Sequence, residues 1–458
     1  MKPDLVITGG TLITMDQHRS IVEKGTIHIK DGKIIHLGEN EQDSPLELGC
    51  RRIDANGKFI FPGFINTHTH IFQTLIRGFG QDLPVWEWFN TVLDPVVENL
   101  SVLDAYISAK LGSIEAIRSG TTTILDYNYP HPYPGMAEET IRAFQEVGIR
   151  GILARGIIDT GDAHKKIIHS TRDELDACND LLLKYQNYKD RMISIWLAPY
   201  VVFSTSKEAF IQSKELADQY HTWLTVHAAT PSSIEGSIAL YGVNDVVFED
   251  SIGFLGPNVL AVHCCADLSE KVLNIFRDRD VKISHNPVSN AYLGEGIAQI
   301  AEMVEKGIKV SLATDGPASN NNQDMVTVLK FAALLQKVRK LDPTALTAWK
   351  TLEMATIEGA QCVGMEDCIG SLEVGKQADL IIVDLDTSST VASFDPVSSL
   401  VYSATQENIR TVVVNGNVIM EDRKILPVDE RETLDLAKES SHKLTDRAFP
   451  KSQTIKKL

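Results

Sequence analysis

The sequence predicts an α/β protein: a (β/α)8 barrel flanked by a small β-module that both ends of the chain build. Three observations predict it. Between about Pro62 and about Val374, apolar strands such as "TTTILDY", "GILARGII", "ISIWLAPY", "WLTVHAA", "VLAVHCC", "VKISHNP" and "IKVSLATDG" alternate with stretches at helical spacing. Repeated βα units of that number close a parallel sheet into a barrel, whose functional residues gather at the C-terminal ends of the strands. The segment before Pro62 reads instead as short strands with turns, "DLVITGGTLITMD" and "GTIHIKDGKIIHLGE". Strands resume in "GSLEVGKQADLIIVDLD" and "IRTVVVNGNVIMEDRK", with a turn signal at Asn415-Gly416. Residues 1–61 and 375–425 are therefore expected to form one composite β-domain, residues 62–374 the barrel, and residues 426–458 a helical C-terminal tail.

The 458 residues suit one large barrel with a smaller accessory domain. Hydrophobic residues make up 43% and charged residues 23%, an ordinary balance for a soluble globular chain. No apolar run approaches the roughly 20 residues that span a bilayer, so no membrane is expected as a partner. The start "MKPDLVITGGTLITMD" reads as a strand and lacks the marks of a secretory signal. Six cysteines without a CxxC pair suggest neither a disulfide framework nor a cysteine metal site, which fits a cytoplasmic setting. A formal charge of −17 excludes nucleic acid, whose binding draws on Lys and Arg against phosphates.

The polar residues fall at the strand ends. His68 and His70 end the first barrel strand, His227 ends "WLTVHAA", His263 ends "VLAVHCC", His285 ends "VKISHNP", and Asp315 ends "VSLATDG". Residues i and i+2 of a strand point to the same side, so His68 and His70 can offer two nitrogens to one ion. His227 and Asp315 would complete a nitrogen-and-oxygen shell suited to Zn²⁺ or Fe²⁺, with one position left for water. Cys264 and Cys265, beside His263, read as buried packing rather than as a thiolate site.

At these residues the sequence resembles the amidohydrolase superfamily, in the branch of cytosine and guanine deaminases, adenosylhomocysteine deaminases and atrazine chlorohydrolase-like triazine hydrolases. The motifs that carry the resemblance are "PGFINTHTH", "RSGTTTILD", "AVHCC", "ISHNPVSNAYLGEG", "LATDGPASNNNQDM", "EMATIEGAQCVG" and "GSLEVGKQADLIIVD", and they span nearly the whole chain. The resemblance implies a metal-dependent hydrolase in which activated water attacks an electron-poor carbon of a nitrogen heterocycle and displaces ammonia, an amine or halide. It implies that the composite β-domain of residues 1–61 and 375–425 is a β-sandwich, and that His68, His70, His227 and Asp315 hold the metal, zinc first and iron second. It also implies that His263 orients water or substrate, that Asp315 takes up and passes on the proton, and that the protein is a homodimer or higher homo-oligomer. The branch of the superfamily with two metals uses a lysine on the fourth strand. "ISIWLAPYVVFS" has none, so one metal is expected.

The resemblance breaks at one point. Deaminases of this type read His-x-x-Glu at the fifth strand, whereas this chain reads "HAAT" and places Thr230 there. A threonine cannot act as that acid. Either the substrate needs less ring protonation, or another carboxylate such as Glu235 or Glu295 reaches in, or the site cleaves an amide- or urea-type C–N bond, or the barrel binds a metal without turnover. Thr230 itself is expected to line the pocket. "GQDLPVWEWF" reads as a loop over the barrel mouth whose Trp86 or Trp88 stacks on a flat ring. Gln73, His285, Asn290, Ser319 and Asn320 lie near strand ends and complete the set of expected substrate contacts.

Overall fold

The computed structural model describes residues 2–39, 50–161, 166–186, 188–392 and 394–450. Eight parallel strands, numbered β1 to β8, pair in chain order. They are β1 (Phe64–Thr69), β2 (Thr121–Asn128), β3 (Arg150–Ile157), β4 (Ile193–Pro199), β5 (Leu224–Ala228), β6 (Val259–His263), β7 (Lys282–His285) and β8 (Val310–Leu312). Every residue of β2, β3 and β4 is buried, which explains their near-continuous apolar reading: helices cover one face and layered side chains fill the other. The first and last strands meet through the His68 carbonyl, which accepts from the Asp315 amide at 3.1 Å, and through Asn66 Nδ2, which donates to Thr314 Oγ1 at 2.8 Å. Inside the barrel the Thr67 hydroxyl bonds those of Ser284 and Ser311, each at 2.8 Å.

The flanking strands form one mixed sheet of nine strands, and the expected sandwich is this single hydrogen-bonded sheet with an apolar core of its own. Leu380–Val383 from the C-terminal segment pairs antiparallel with Phe59–Pro62 from the N-terminal one, with Ile382 opposite Ile60. Side chains alternate along a strand, and here both faces are used. Leu380 and Ile382 join Leu5, Ile7 and Ile27 in the sheet's own core, while Ile381 and Val383 pack into the core of the barrel. The joint is pinned by a buried ion pair. Arg150, the first residue of β3, donates through Nε and Nη2 to the Asp379 carboxylate at 3.1 and 3.0 Å, and through Nη1 to the carbonyls of Asp190 and Arg191 at 3.2 and 3.0 Å.

The helix Glu430–Ala448 is N-capped by Asp429 and packs back on the barrel helix Val102–Arg118, where Ser440 and Arg447 both bond Asp104. Residues 451–458 of the expected tail, and 40–49 of the expected N-terminal module, lie outside the described residues. Among the described residues no helix is long and apolar enough to cross a membrane.

Candidate metal centre and active site

His68 is the fifth residue of β1 and His70 follows the strand directly, so both rings turn to the same side. Their orientation is set by what the other ring nitrogen touches. His70 Nδ1 meets the Tyr127 carbonyl at 2.9 Å and His227 Nδ1 meets the Tyr200 carbonyl at 3.0 Å. A carbonyl only accepts, so each ring carries its proton on Nδ1 and presents a bare Nε2. The two Nε2 atoms face each other at 3.3 Å. Two lone pairs at that separation repel unless a cation lies between them. His68 is wholly buried with neither nitrogen hydrogen-bonded, and Asp315 Oδ1 is also without a hydrogen-bond partner. Asp315 Oδ1 lies 3.3 Å from His68 Nε2 and 3.6 Å from His70 Nε2.

Burial holds the His68 imidazole down to about 3, and it depresses His70 and His227 in the same direction. Asp315 sits well below the usual carboxylate range: burial works the other way, but contact with His68 and the neighbouring imidazoles outweigh it. Neutral imidazoles and an ionised carboxylate are the donor states a divalent ion requires. The ligand atoms of His68, His70 and His227, and those of His68, His263 and Asp315, form two groups in which all lie within 4.8 Å of one another. The donor set fits zinc and also suits iron.

The supports beneath these groups are specific. Asp315 and His263 both adopt left-handed backbone, with φ of 63° and 72°. Asp315 is held there because its carbonyl accepts from Thr69 Oγ1 at 2.9 Å and from Gln323 Nε2 at 3.2 Å, while Oδ2 accepts from Ser289 at 2.5 Å and from Ser319 at 2.8 Å. His263 donates from Nδ1 to Asn290 Oδ1 at 2.9 Å, leaving Nε2 toward the cavity. Gly316, beside Asp315, leaves room for Gln73: a Cβ there would fall 2.0 Å from Gln73 Oε1, which accepts from the Ala318 amide at 3.2 Å.

A cavity of about 490 Å³ opens above the centre, with His70, His227, His263 and Asp315 among its lining residues. Trp86, Trp88, Phe89, Tyr129, Tyr200 and Phe203 give it aromatic walls, and Gln73, Thr230 and Ser319 also line it. The stretch carrying the two tryptophans is a short helix, Val85–Trp88, running into a π-helical turn, Phe89–Leu93, rather than an irregular loop. Trp88 is buried and Trp86 is 48% exposed at the rim. Thr230 caps the helix Pro231–Tyr241: its hydroxyl accepts from the Ser233 amide at 3.1 Å.

Three of the expected substrate contacts stand one layer back from the cavity. Asn290 holds His263, Asn320 donates to the Thr314 carbonyl at 2.7 Å, and His285 is fully buried with both nitrogens unbonded. None of the three lines the cavity: each side chain is buried, and those of Asn290 and Asn320 bond protein neighbours instead. Of the two carboxylates considered beside Thr230, Glu235 is exposed on its helix and Glu295 lines the cavity. Sequence reasoning missed Tyr129, Tyr200, Phe203 and Asp94. Tyr200 directly follows β4, and that position at a functional strand end was a signal for it.

Fold and site together define a hydrolase of the metal-dependent barrel class. The chain belongs to the amidohydrolase family, whose sequence model matches residues 59–419. A protein of Methanobrevibacter smithii named 5'-deoxyadenosine deaminase is 38% identical, over 92% of this chain and 94% of its own length. The 5-methylthioadenosine/S-adenosylhomocysteine deaminase of Thermoanaerobacter pseudethanolicus is 34% identical over 94% of this chain and 97% of its own. Among solved structures, an adenosine deaminase from Xanthomonas campestris with bound zinc superposes with a TM-score of 0.90 at 28% identity, covering 96% of this chain and 98% of that one. Atrazine chlorohydrolase from Arthrobacter aurescens, complexed with zinc, gives a TM-score of 0.90 at 26% identity over 95% of this chain and 100% of that one.

Proposed function

We propose that this protein hydrolyses a flat nitrogen heterocycle, displacing ammonia, an amine or halide from an electron-poor ring carbon, with aminated purines the first class to test. The observation that carries the reading is the convergence of three bare imidazole nitrogens and one unpaired carboxylate oxygen on the floor of an aromatic-walled cavity. His68, His70, His227 and Asp315 would hold one zinc ion, with iron as the alternative. When bound, such an ion acts as a Lewis acid and brings the pKa of water toward about 7. Asp315, kept ionised, accepts the proton that water loses on attack. His263 presents Nε2 to the reacting oxygen and is held in place by Asn290. The aromatic walls stack the ring and exclude water from its faces.

The relatives named as deaminases of adenosine derivatives support an aminated purine. Among the described residues no lysine or arginine lines the cavity, which favours neutral or cationic rings over phosphorylated ones. The test is release of ammonia or chloride from a panel of aminated and chlorinated purines, pyrimidines and triazines, together with metal analysis. We expect about one equivalent of zinc or iron, turnover on at least one ring, and a loss of about 10²- to 10⁴-fold in Asp315→Asn. Absence of turnover on every ring overturns the reading. Turnover confined to amide or urea compounds would replace it with the second reading that Thr230 supports, hydrolysis at a carbonyl that needs no ring protonation.

A further inference from the structure

Attack of water on a ring carbon pushes electrons onto the neighbouring ring nitrogen, and that nitrogen needs a proton donor. Thr230, close to His227 at the cavity wall, has no acidic proton and spends its hydroxyl on capping a helix. The other titratable groups of the floor are committed. Asp315 takes up the proton of water in the proposed reaction, and His70 and His227 have their single protons on backbone carbonyls. Two carboxyls remain among the lining residues, Asp94 and Glu295.

Their neighbours differ. Asp94 acts electrostatically on Tyr129 and Tyr200, in the aromatic wall. Glu295 accepts from Cys265 Sγ at 3.9 Å and feels His263 and Asp315, the groups that face the reacting carbon in the proposed reaction. Its position is built. Gly294 and Gly296, with φ of 69° and 110°, bracket it in a turn that a side chain would resist, and a Cβ on Gly296 would lie 3.2 Å from the Cys265 carbonyl. The Glu295 amide donates to the Asn290 carbonyl at 2.9 Å, and the side chain of that same Asn290 holds His263. One residue thus fixes both groups relative to each other.

We propose that Glu295 is the general acid of this cavity, donating its carboxyl proton to the ring nitrogen beside the carbon that water attacks. The proposal rests on the reading of the protein as a ring hydrolase. Water gives one proton to Asp315 as its oxygen bonds the carbon, and Glu295 protonates the ring nitrogen as the ring C=N opens to C–N. Asp315 then passes its proton to the exocyclic amine. The C–N bond breaks, ammonia leaves, and the hydroxyl proton of the intermediate returns to Glu295 as the carbonyl forms. Both carboxyl groups end as they began. Burial raises the pKa of the Glu295 carboxyl, which favours the protonated state the step requires.

The test compares Glu295→Gln and Glu295→Asp with Glu235→Gln, which changes an exposed carboxylate on the helix Pro231–Tyr241. We expect Glu295→Gln to lower kcat on an aminated ring by about 10²- to 10⁴-fold, Glu295→Asp to recover part of the rate, and Glu235→Gln to match the parent. The acid must be protonated to act, so the parent's kcat/KM falls as pH rises through the Glu295 pKa, and Glu295→Gln loses that limb. A ring already quaternised at the nitrogen needs no donor and should lose far less rate in the variant. Metal content and thermal midpoint show whether Glu295→Gln is folded. A folded Glu295→Gln within about threefold of the parent, with the same pH profile, overturns the proposal while leaving the ring-hydrolase reading intact. Failure of the parent on every ring overturns both.

Discussion

Two sets of buried polar groups, Arg150 at one end of the barrel and the histidine–aspartate cluster at the other, are treated in opposite ways. At the N-terminal end Arg150 is fully buried and its guanidinium is spent on the Asp379 carboxylate and two carbonyls. At the C-terminal end His68, Tyr129 Oη and Asp315 Oδ1 are buried with no hydrogen-bond partner. An unpaired buried polar atom costs about 1–3 kcal/mol, so a fold keeps several together only where something else is to meet them. The difference separates a frame from a reaction centre: the closed end supplies stability, and the open end holds atoms in readiness for ion and substrate.

The largest effect is expected from breaking the frame. Arg150→Met leaves Asp379 buried without its cation and should cost about 3–5 kcal/mol in unfolding free energy by denaturant titration. Metal bound per folded molecule should stay the same. A midpoint shift worth less than about 1 kcal/mol would show that the closed end is not where stability resides. A smaller effect, at the other end, is expected from Ser289→Ala, which removes one of the two hydroxyls on Asp315 Oδ2. It should weaken metal affinity by about 10- to 100-fold in a chelator competition while moving stability little. The mildest is Trp86→Ala at the half-exposed rim: loss of a stacking partner worth about 0.5–1.5 kcal/mol should raise KM by roughly two- to tenfold with kcat kept. A fall in kcat instead would place Trp86 at the reacting atoms.

The same division explains what could be read from the sequence. His68, His70, His227, His263 and Asp315 were legible because each stands at or just past the end of a recognisable strand, and strand ends of a closed barrel share one face. The flanking strands were legible from turn signals, and their union followed from finding the same pattern on both sides of the barrel. The cavity walls were not. Asn290 and Asn320 belong to segments after β7 and β8, and the turn direction of those segments decides whether a side chain meets the substrate or braces a neighbour. Tyr129 and Phe203 lie in connecting segments whose path depends on tertiary packing, which a single sequence does not encode locally. Asp94 begins a short helix at the mouth and carries no periodic or motif signal at all.

The bond between the His68 carbonyl and the Asp315 amide also joins the two ends of the barrel sheet, and with them the two halves of the ligand set. The bracing pair next to it, Asn66 and Thr314, is 248 residues apart in sequence. Joining such distant segments carries the entropic cost of closing a long loop, so these contacts form only after the intervening units have condensed. A growing chain on the ribosome exposes His68 and His70 long before Asp315 has been synthesised, and it then offers an ion two loose imidazoles but no enclosure. The complete ligand set exists only once the eighth strand is seated against the first. Firm binding of one ion by all four ligands therefore requires a closed barrel.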